Sequence, residues 1–370
     1  MAERYQNYVN GAWTDASSGS VSTSTNPADL SDVIGEFQAS TSGDVNAAIS
    51  AAHDVKESWR RTSSLARGGY LLKAASYLEA NTEEFAQALT RECGKAILEA
   101  RGEIGRAVAL LQYYGVEGSN PVGSVVPSVN PNILLYTNRM PLGVVSLITP
   151  WNFPFAIPIW KMAPALVYGN TIVLKPASAT PHVATLIARM WEAVDLPAGV
   201  FNLVTGSGAA VGNELITNDK VAAISFTGST RIGMNIAAES AQRGKRYQLE
   251  MGGKNPVIVL PDADLEQAAE ITVSGAMKYS GQKCTATSRA IVVGNVMEEF
   301  TNLVVEKTNA LKIGAGADPE SIIVPVIDQA SKDNIASMIK RGVDDGGQIL
   351  AGGGVPTGAE FDNGTFVEPT

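Results

Sequence analysis

Val144-Val145-Ser146-Leu147-Ile148-Thr149-Pro150-Trp151-Asn152-Phe153-Pro154 is a short apolar run that ends in a rigid aromatic turn bracketed by prolines. Such a run suits a strand buried on both faces. The pattern recurs, with strands predicted at Val144–Thr149, Thr171–Lys175, Val200–Val204, Ala222–Phe226, Tyr247–Leu249 and Val257–Leu260. Helices fill the gaps at Phe155–Tyr168, Pro181–Val194, Ala209–Thr217 and Arg231–Gln242. This alternation specifies an α/β fold with a mostly parallel, Rossmann-like sheet covered on both faces. Ligands bind such sheets beyond the carboxyl ends of the strands. The polar motifs fall there: Trp151-Asn152, Lys175-Pro176-Ala177-Ser178, Gly206-Ser207-Gly208 and Thr227-Gly228-Ser229.

Upstream, the chain to about Gly118 reads as helix-rich after a short extended start. Asn10-Gly11 marks a hairpin turn between Tyr8-Val9 and Ala12-Trp13. Asp44 is expected to cap a helix that places Val45, Ala48, Ile49 and Ala52 on one face. Further helices are predicted near Leu65–Glu79, Glu83–Cys93 and Ile97–Tyr114; His53, on the Ala-rich helix after Asp44, reads as a surface or packing residue. In 119–138, Pro121, Gly123, Pro127 and Pro131 alternate with Val125, Val126, Val129 and Ile133. This reads as a protruding hairpin, either a subunit-contact arm or a linker. Downstream of Asn255, a second α/β unit is expected, with a helix from Asp264 to Tyr279, a strand at Ala290–Val293 and a helix from Glu298 to Leu311. The domains implied are 1–118 with 139–251, the arm 119–138, and 252–370.

The 370 residues are 45% hydrophobic and 18% charged, a globular composition with room for more than one domain. A net charge of −9 disfavours nucleic acid or an anionic membrane as the main partner. Met1-Ala2-Glu3-Arg4-Tyr5 lacks an apolar signal core, and the prolines, Asn152 and Lys161 of the apolar 141–176 stretch argue against a membrane span. With only two cysteines, a disulfide framework is implausible, and the cytoplasm is the expected compartment.

Cys93 sits at a helix end and reads as structural. Cys284, in Ser280-Gly281-Gln282-Lys283-Cys284-Thr285, stands among small polar residues that leave its sulfur approachable, as a nucleophile requires. Gly206–Gly212 resembles a dinucleotide loop but has the wrong final spacing. Phe226-Thr227-Gly228-Ser229-Thr230-Arg231-Ile232-Gly233 is better: a strand runs into a helix whose first-turn amides and Ser229 hydroxyl could hold a pyrophosphate. Glu250, followed by Met251, Gly252 and Gly253, has room to swing as a general base, although a lone glutamate is more often plain surface. The Asn152 amide is suited to an oxyanion. No metal is expected.

Taken together, Thr149–Pro154, Lys175–Ser178, Phe226–Thr230, Leu249–Lys254 and Gly281–Thr285 resemble, in order and spacing, the signatures of the NAD(P)-dependent aldehyde dehydrogenase superfamily. The resemblance runs from about Tyr8 to Thr370. The runs 157–181, 247–260 and 281–289 look closest to dehydrogenases of 2,5-dioxopentanoate (α-ketoglutaric semialdehyde), with succinate semialdehyde enzymes next. The resemblance implies that Cys284 attacks the aldehyde and that the Asn152 side chain and the Cys284 amide hold the oxyanion. It further implies that Glu250 activates the hydrolytic water and that Lys161 relays the proton. Thr149, Pro150, Trp151, Asn152, Lys175, Pro176, Ala177, Ser178, Gly208, Thr227, Gly228, Ser229, Ile232, Gly233 and Met251 take the family's nucleotide positions. NAD-preferring members often carry a glutamate where Ser178 stands; a neutral serine beside Lys175 removes the repulsion of a 2′-phosphate, so NADP is expected to serve at least as well as NAD.

The family ordinarily continues well past a motif like Gly364–Thr370. The resemblance therefore implies an incomplete catalytic domain: a partial chain, or a truncated product that folds poorly and lacks activity. At full length a homodimer or homotetramer is implied. Three other readings compete. A CoA-acylating dehydrogenase is disfavoured by Glu250, a scaffold or binding protein without turnover by the intact Cys284, Glu250 and Asn152, and a nucleic-acid binder by charge. Arg289 and Arg139 are present, but no substrate-carboxylate role is assigned to either.

Overall fold

The computed structural model describes residues 2–120 and 122–370; Pro121 of the expected hairpin, like Met1, lies outside them. Strands β1 (Arg4–Tyr5), β2 (Asn7–Val9), β3 (Ala12–Thr14), β4 (Val21–Asn26) and β5 (Asp29–Gln38) come first. Helices α1 (Ser42–Arg61), α2 (Ser64–Ala80), α3 (Thr82–Cys93) and α4 (Ile97–Glu117) follow, then the hairpin β6 (Val125–Val126) and β7 (Leu135–Tyr136). Next come β8 (Val144–Ile148), α5 (Ala156–Val167), β9 (Thr171–Lys175), α6 (Pro181–Ala193), β10 (Phe201–Leu203), α7 (Asn213–Thr217), β11 (Val221–Gly228), α8 (Thr230–Gln242) and β12 (Arg246–Met251). The last are β13 (Asn255–Val259), α9 (Leu265–Met277), β14 (Thr287–Val292), α10 (Met297–Asn309) and α11 (Gln329–Asp344).

The central sheet has the order β12-β11-β8-β9-β10-β2-β3. Its five strands from β8 to β12 are parallel, whereas β2 joins β10 antiparallel. The chain adds β9 and β10 on one side of β8 and then crosses to add β11 and β12 on the other. This makes the β8/β11 boundary a topological switch point, where a crevice opens at the carboxyl ends. The interior strands are mostly apolar because helices cover both faces; every residue of β9 and β10 is buried.

The Asn10-Gly11 hairpin forms as expected, with both residues at positive φ (53° and 76°), the geometry of a type I′ turn. Its first strand is not a free start: it extends the central sheet far along the chain. The helix expected to be capped by Asp44 begins earlier. Thr41 is the N-cap, and Asp44 completes a capping box from the third helical position. The Ser/Thr-rich β4 and the long β5 were not anticipated, nor was α11, whose Ile335, Ile339 and Val343 recur on one face although none of its residues is buried. The helix predicted from Ala209 opens as a single π turn over Gly208–Gly212 before α7.

Among the described residues no helix is long and apolar enough to cross a membrane. Cys93 is fully buried, donates to the Leu89 carbonyl at 3.0 Å, and has its thiol pushed up to about 11 by burial, all consistent with a packing role.

Candidate active site

The loop after β8 is held from several sides. The Thr149 amide donates to the Lys175 carbonyl at 3.2 Å, tying the ends of β8 and β9 together. Trp151 packs its indole against the main core. Asn152 is then directed across the crevice, and its Nδ2 donates to the Gln282 carbonyl at 2.9 Å, two residues before Cys284. The carboxamide has a second N–H to offer, while its Oδ1 is buried without a partner among the described residues. A donor loop and a thiol loop 130 residues apart are thus in direct contact.

The thiol loop is set by its backbone. Tyr279, Ser280 and Gly281 all take positive φ, at 57°, 52° and 70°. Such a run in non-glycine residues costs of order 1–3 kcal/mol each and persists only where the surroundings impose it. Here Tyr279 is wholly buried, and the Ser280 hydroxyl both donates to the Val324 carbonyl and accepts from the Val324 amide. Gln282 accepts from the Ile327 amide at 3.0 Å. On the far side, Asn255 Nδ2 donates to the Cys284 carbonyl at 2.7 Å and to that of Ala286 at 3.1 Å. Lys283 turns away to pair with Glu99. Cys284 itself is exposed, and among the described residues its main-chain amide donates to nothing.

Glu250 lies near the end of β12, an edge strand of the sheet, and is exposed. It makes no hydrogen bond to Cys284; it accepts instead from Gln248 Nε2 at 3.2 Å. Gln248 Oε1 in turn accepts from Lys161 Nζ at 3.1 Å and from Ser225 Oγ at 2.6 Å, and Lys161 also donates to Ser225 at 2.9 Å. Burial pushes the Lys161 amine down to about 8, opposed by the nearby Glu250 charge.

The positions expected to hold a nucleotide fall at the ends of β9 and β11 and at the starts of the π turn and α8. Pro176 and Ala177 lead from β9 to Ser178, which is exposed and donates to the Gly206 carbonyl at 3.3 Å. Lys175 is buried, donates to the Pro176 carbonyl, and is pushed down to about 8 by burial. Thr227 and Gly228 close β11, and Ser229 is the N-cap of α8 without a side-chain cap bond, so the helix start is open to a ligand. Ile232 is half exposed on that first turn. Gly233 faces the sheet instead: a Cβ there would stand 2.6 Å from the sulfur of Met251, so the glycine lets α8 lie close on β12. Gly208 starts the π turn in open space.

A cavity of about 720 Å³ is lined by Trp151, Gly281, Gln282 and Arg289 but not by Cys284 or Glu250. It lies behind the thiol loop, so the chemistry is located by donors and loops rather than by void volume. Arg289 donates to the Lys254 carbonyl, and the Arg139 amide closes the hairpin base on Val122. Sequence reading missed Gln248, Ser225, Asn255 and the 324–327 segment. Of these only Asn255, beside the Gly252-Gly253 turn, stands in a motif that could have signalled it.

Residues 13–370 match the family model described as aldehyde dehydrogenase family. The chain is 46% identical to the α-ketoglutaric semialdehyde dehydrogenase of Bacillus subtilis (strain 168) over 99% of its own length and 75% of that protein's. It is 36% identical to the NADP(+) succinate-semialdehyde dehydrogenase of Escherichia coli (strain K12), covering 99% of this chain and 75% of that one. An NAD+ complex of an aldehyde dehydrogenase from Bacillus cereus superposes with a TM-score of 0.95 at 34% identity, covering 100% of this chain and 74% of that one. The crevice at the switch point, the thiol loop facing it and these matches agree: the chain belongs to the aldehyde dehydrogenase family.

Proposed function

We propose that this protein oxidises a carboxylate-bearing semialdehyde of the 2,5-dioxopentanoate type to the acid, through a thioester on Cys284. The observation that carries the reading is the Asn152–Gln282 hydrogen bond, which brings an amide donor to the base of the thiol loop. The thiolate of Cys284 adds to the aldehyde carbon, forming the C–S bond and moving the carbonyl electron pair onto oxygen. The remaining Asn152 N–H and the uncommitted Cys284 amide are the donors for that oxyanion. A nicotinamide dinucleotide, held by the start of α8, Lys175 and Ser178, would accept the hydride that leaves the same carbon. Glu250, released from Gln248, then takes a proton from water; the hydroxide adds to the thioester, the C–S bond breaks, and the thiolate returns. Lys161, held near Glu250 by Ser225 and Gln248, then takes up the proton that Glu250 carries.

Both NAD and NADP are within the reading, with NADP at least equal because Ser178 is neutral and Lys175 lies beside it. Steady-state kcat/KM favouring NAD by about tenfold or more would overturn that preference. Ser178→Glu shifts preference toward NAD by at least about tenfold, since a carboxylate repels a 2′-phosphate. The name of the Bacillus subtilis relative favours the five-carbon oxo-acid semialdehyde, and that of the Escherichia coli relative favours succinate semialdehyde as the second reading. A semialdehyde panel assayed with both cofactors, with and without CoA, tests the whole proposal. Acid product independent of CoA supports it; an acyl-CoA product, or no turnover, refutes it.

The exposed valines, leucines and tyrosine of the β6–β7 hairpin suit a contact arm between subunits of a dimer or tetramer. Two unpaired cysteines suit the reducing cytoplasm.

A further inference from the structure

Beneath the Asn152 loop lies a buried charge pair that the chemistry above leaves unused. We propose that Lys95 and Glu103 are positioning residues for the oxidation, locking the Asn152 donor, the Cys284 loop and the Lys161 helix into one arrangement. The inference rests on the reaction proposed above. The two side chains are paired and sealed from water, 1% and 0% exposed. Burying such a pair is costly, and apolar residues of similar volume commonly serve a fold as well or better, so packing alone gives no reason for it.

The remaining contacts give the reason. Lys95 Nζ donates to the Asn152 carbonyl at 2.8 Å, fixing the main chain of the oxyanion donor. The same ammonium stands 3.9 Å from the centroid of the Phe153 ring and 4.6 Å from that of Tyr279, a desolvated cation–π contact on both. Tyr279 begins the positive-φ run that leads to Cys284, so one cation joins the donor loop to the thiol loop. Glu103 Oε1 accepts from the Phe155 and Ala156 amides at 3.0 and 2.9 Å, capping the start of α5, which carries Lys161. Gly94, at φ 72°, ends α3 and turns the chain so that Lys95 points inward.

The test is the double variant Lys95→Met/Glu103→Gln, which removes both charges while leaving an amide oxygen for the α5 amides. We expect a folded protein whose NADPH or NADH affinity, by fluorescence titration, stays within about twofold of wild type. Its kcat falls by about 10²-fold with little change in aldehyde KM, the effect of a misplaced donor rather than of lost binding. In an Asn152→Ala background the same pair of substitutions lowers kcat by well under about 10²-fold, because the donor it positions is already gone and only the thiol loop and α5 remain to be misplaced. Lys95→Arg, which keeps a cation for the ring faces and the carbonyl, is faster than Lys95→Met. Wild-type kcat in the double variant, or losses that multiply with Asn152→Ala, overturn the proposal.

If the double variant does not fold, Phe153→Leu keeps both charges and opens one wall; kcat then falls about tenfold, again without multiplying with Asn152→Ala, and an unchanged kcat refutes the idea. If the wild-type protein turns over no aldehyde, the reaction assignment fails separately. Alkylation of Cys284 by iodoacetamide then decides on the pair alone. A rate raised about fivefold in the variant supports a held loop, and the wild-type rate overturns it.

Discussion

The two parallel units of this molecule carry similar strand–helix patterns and differ sharply in burial. In the central sheet, β9 and β10 are buried along their whole length, and a single large core runs from α2 and α4 to α6. In the unit bearing Cys284, β13 and β14 pair only with each other among the described residues, and their local core is Val259, Ala269 and Phe300 with a fringe of partly buried neighbours. Ile258, Leu260, Ile291 and Val293 are exposed there. The central sheet is thus a rigid platform, whereas the loop of Cys284 is held by discrete hydrogen bonds from Asn152, Asn255 and the 324–327 segment. Local stability follows buried apolar contact, so the two sides should open independently.

Four measurements test that contrast. The largest effect is chemical. Cys284→Ala lowers aldehyde oxidation by about 10⁴-fold or more while NAD(P)H titration stays at the wild-type affinity, since the platform is untouched. A loss of both together would mean that the units are not separable. Hydrogen exchange followed by mass spectrometry comes next: amides of β8 and β9 should exchange roughly 10³-fold more slowly than those of β13 and β14. Equal protection would show one cooperative body. Truncation of side chains gives a smaller step. Leu174→Ala, at a fully buried position, costs about 2–5 kcal/mol of stability. Ile291→Ala, half exposed, changes it by no more than about 0.5 kcal/mol, both read by denaturant titration. The smallest effect is in pH. To accept a proton from Glu250, Lys161 must be neutral, so kcat should rise with pH through about 8, where burial holds its amine. Lys161→Met removes that inflection and lowers kcat several-fold, roughly the lower range of a lost acid–base group. A profile unchanged in the variant would remove Lys161 from the relay.

Most of the architecture was legible because it depends on near neighbours. Apolar runs such as Val144–Ile148 and Thr171–Lys175 read as interior strands, Asn10-Gly11 read as a tight turn, and the polar motifs fell at strand ends. Where reading failed, the local signal was weak or ambiguous. β4 is mostly serine and threonine, and Thr41 and Asp44 are both good capping residues three positions apart, only one of which can be the N-cap; α11 is the exception, since Ile335, Ile339 and Val343 do give it an apolar stripe.

Most of the order of strands and helices, and the short motifs that single out Cys284 and Asn152, are properties of the amino-acid string, written in periodicity and local spacing. That Asn152 meets Gln282, that Glu250 rests on Gln248 rather than on the cysteine, and that Lys95 stands between two rings are not. Each of these contacts joins strands or loops whose relative placement is set only when the sheet has assembled and its helices have packed. A buried lysine carries no local mark of its partner, because the partner is chosen by closure of the chain around it.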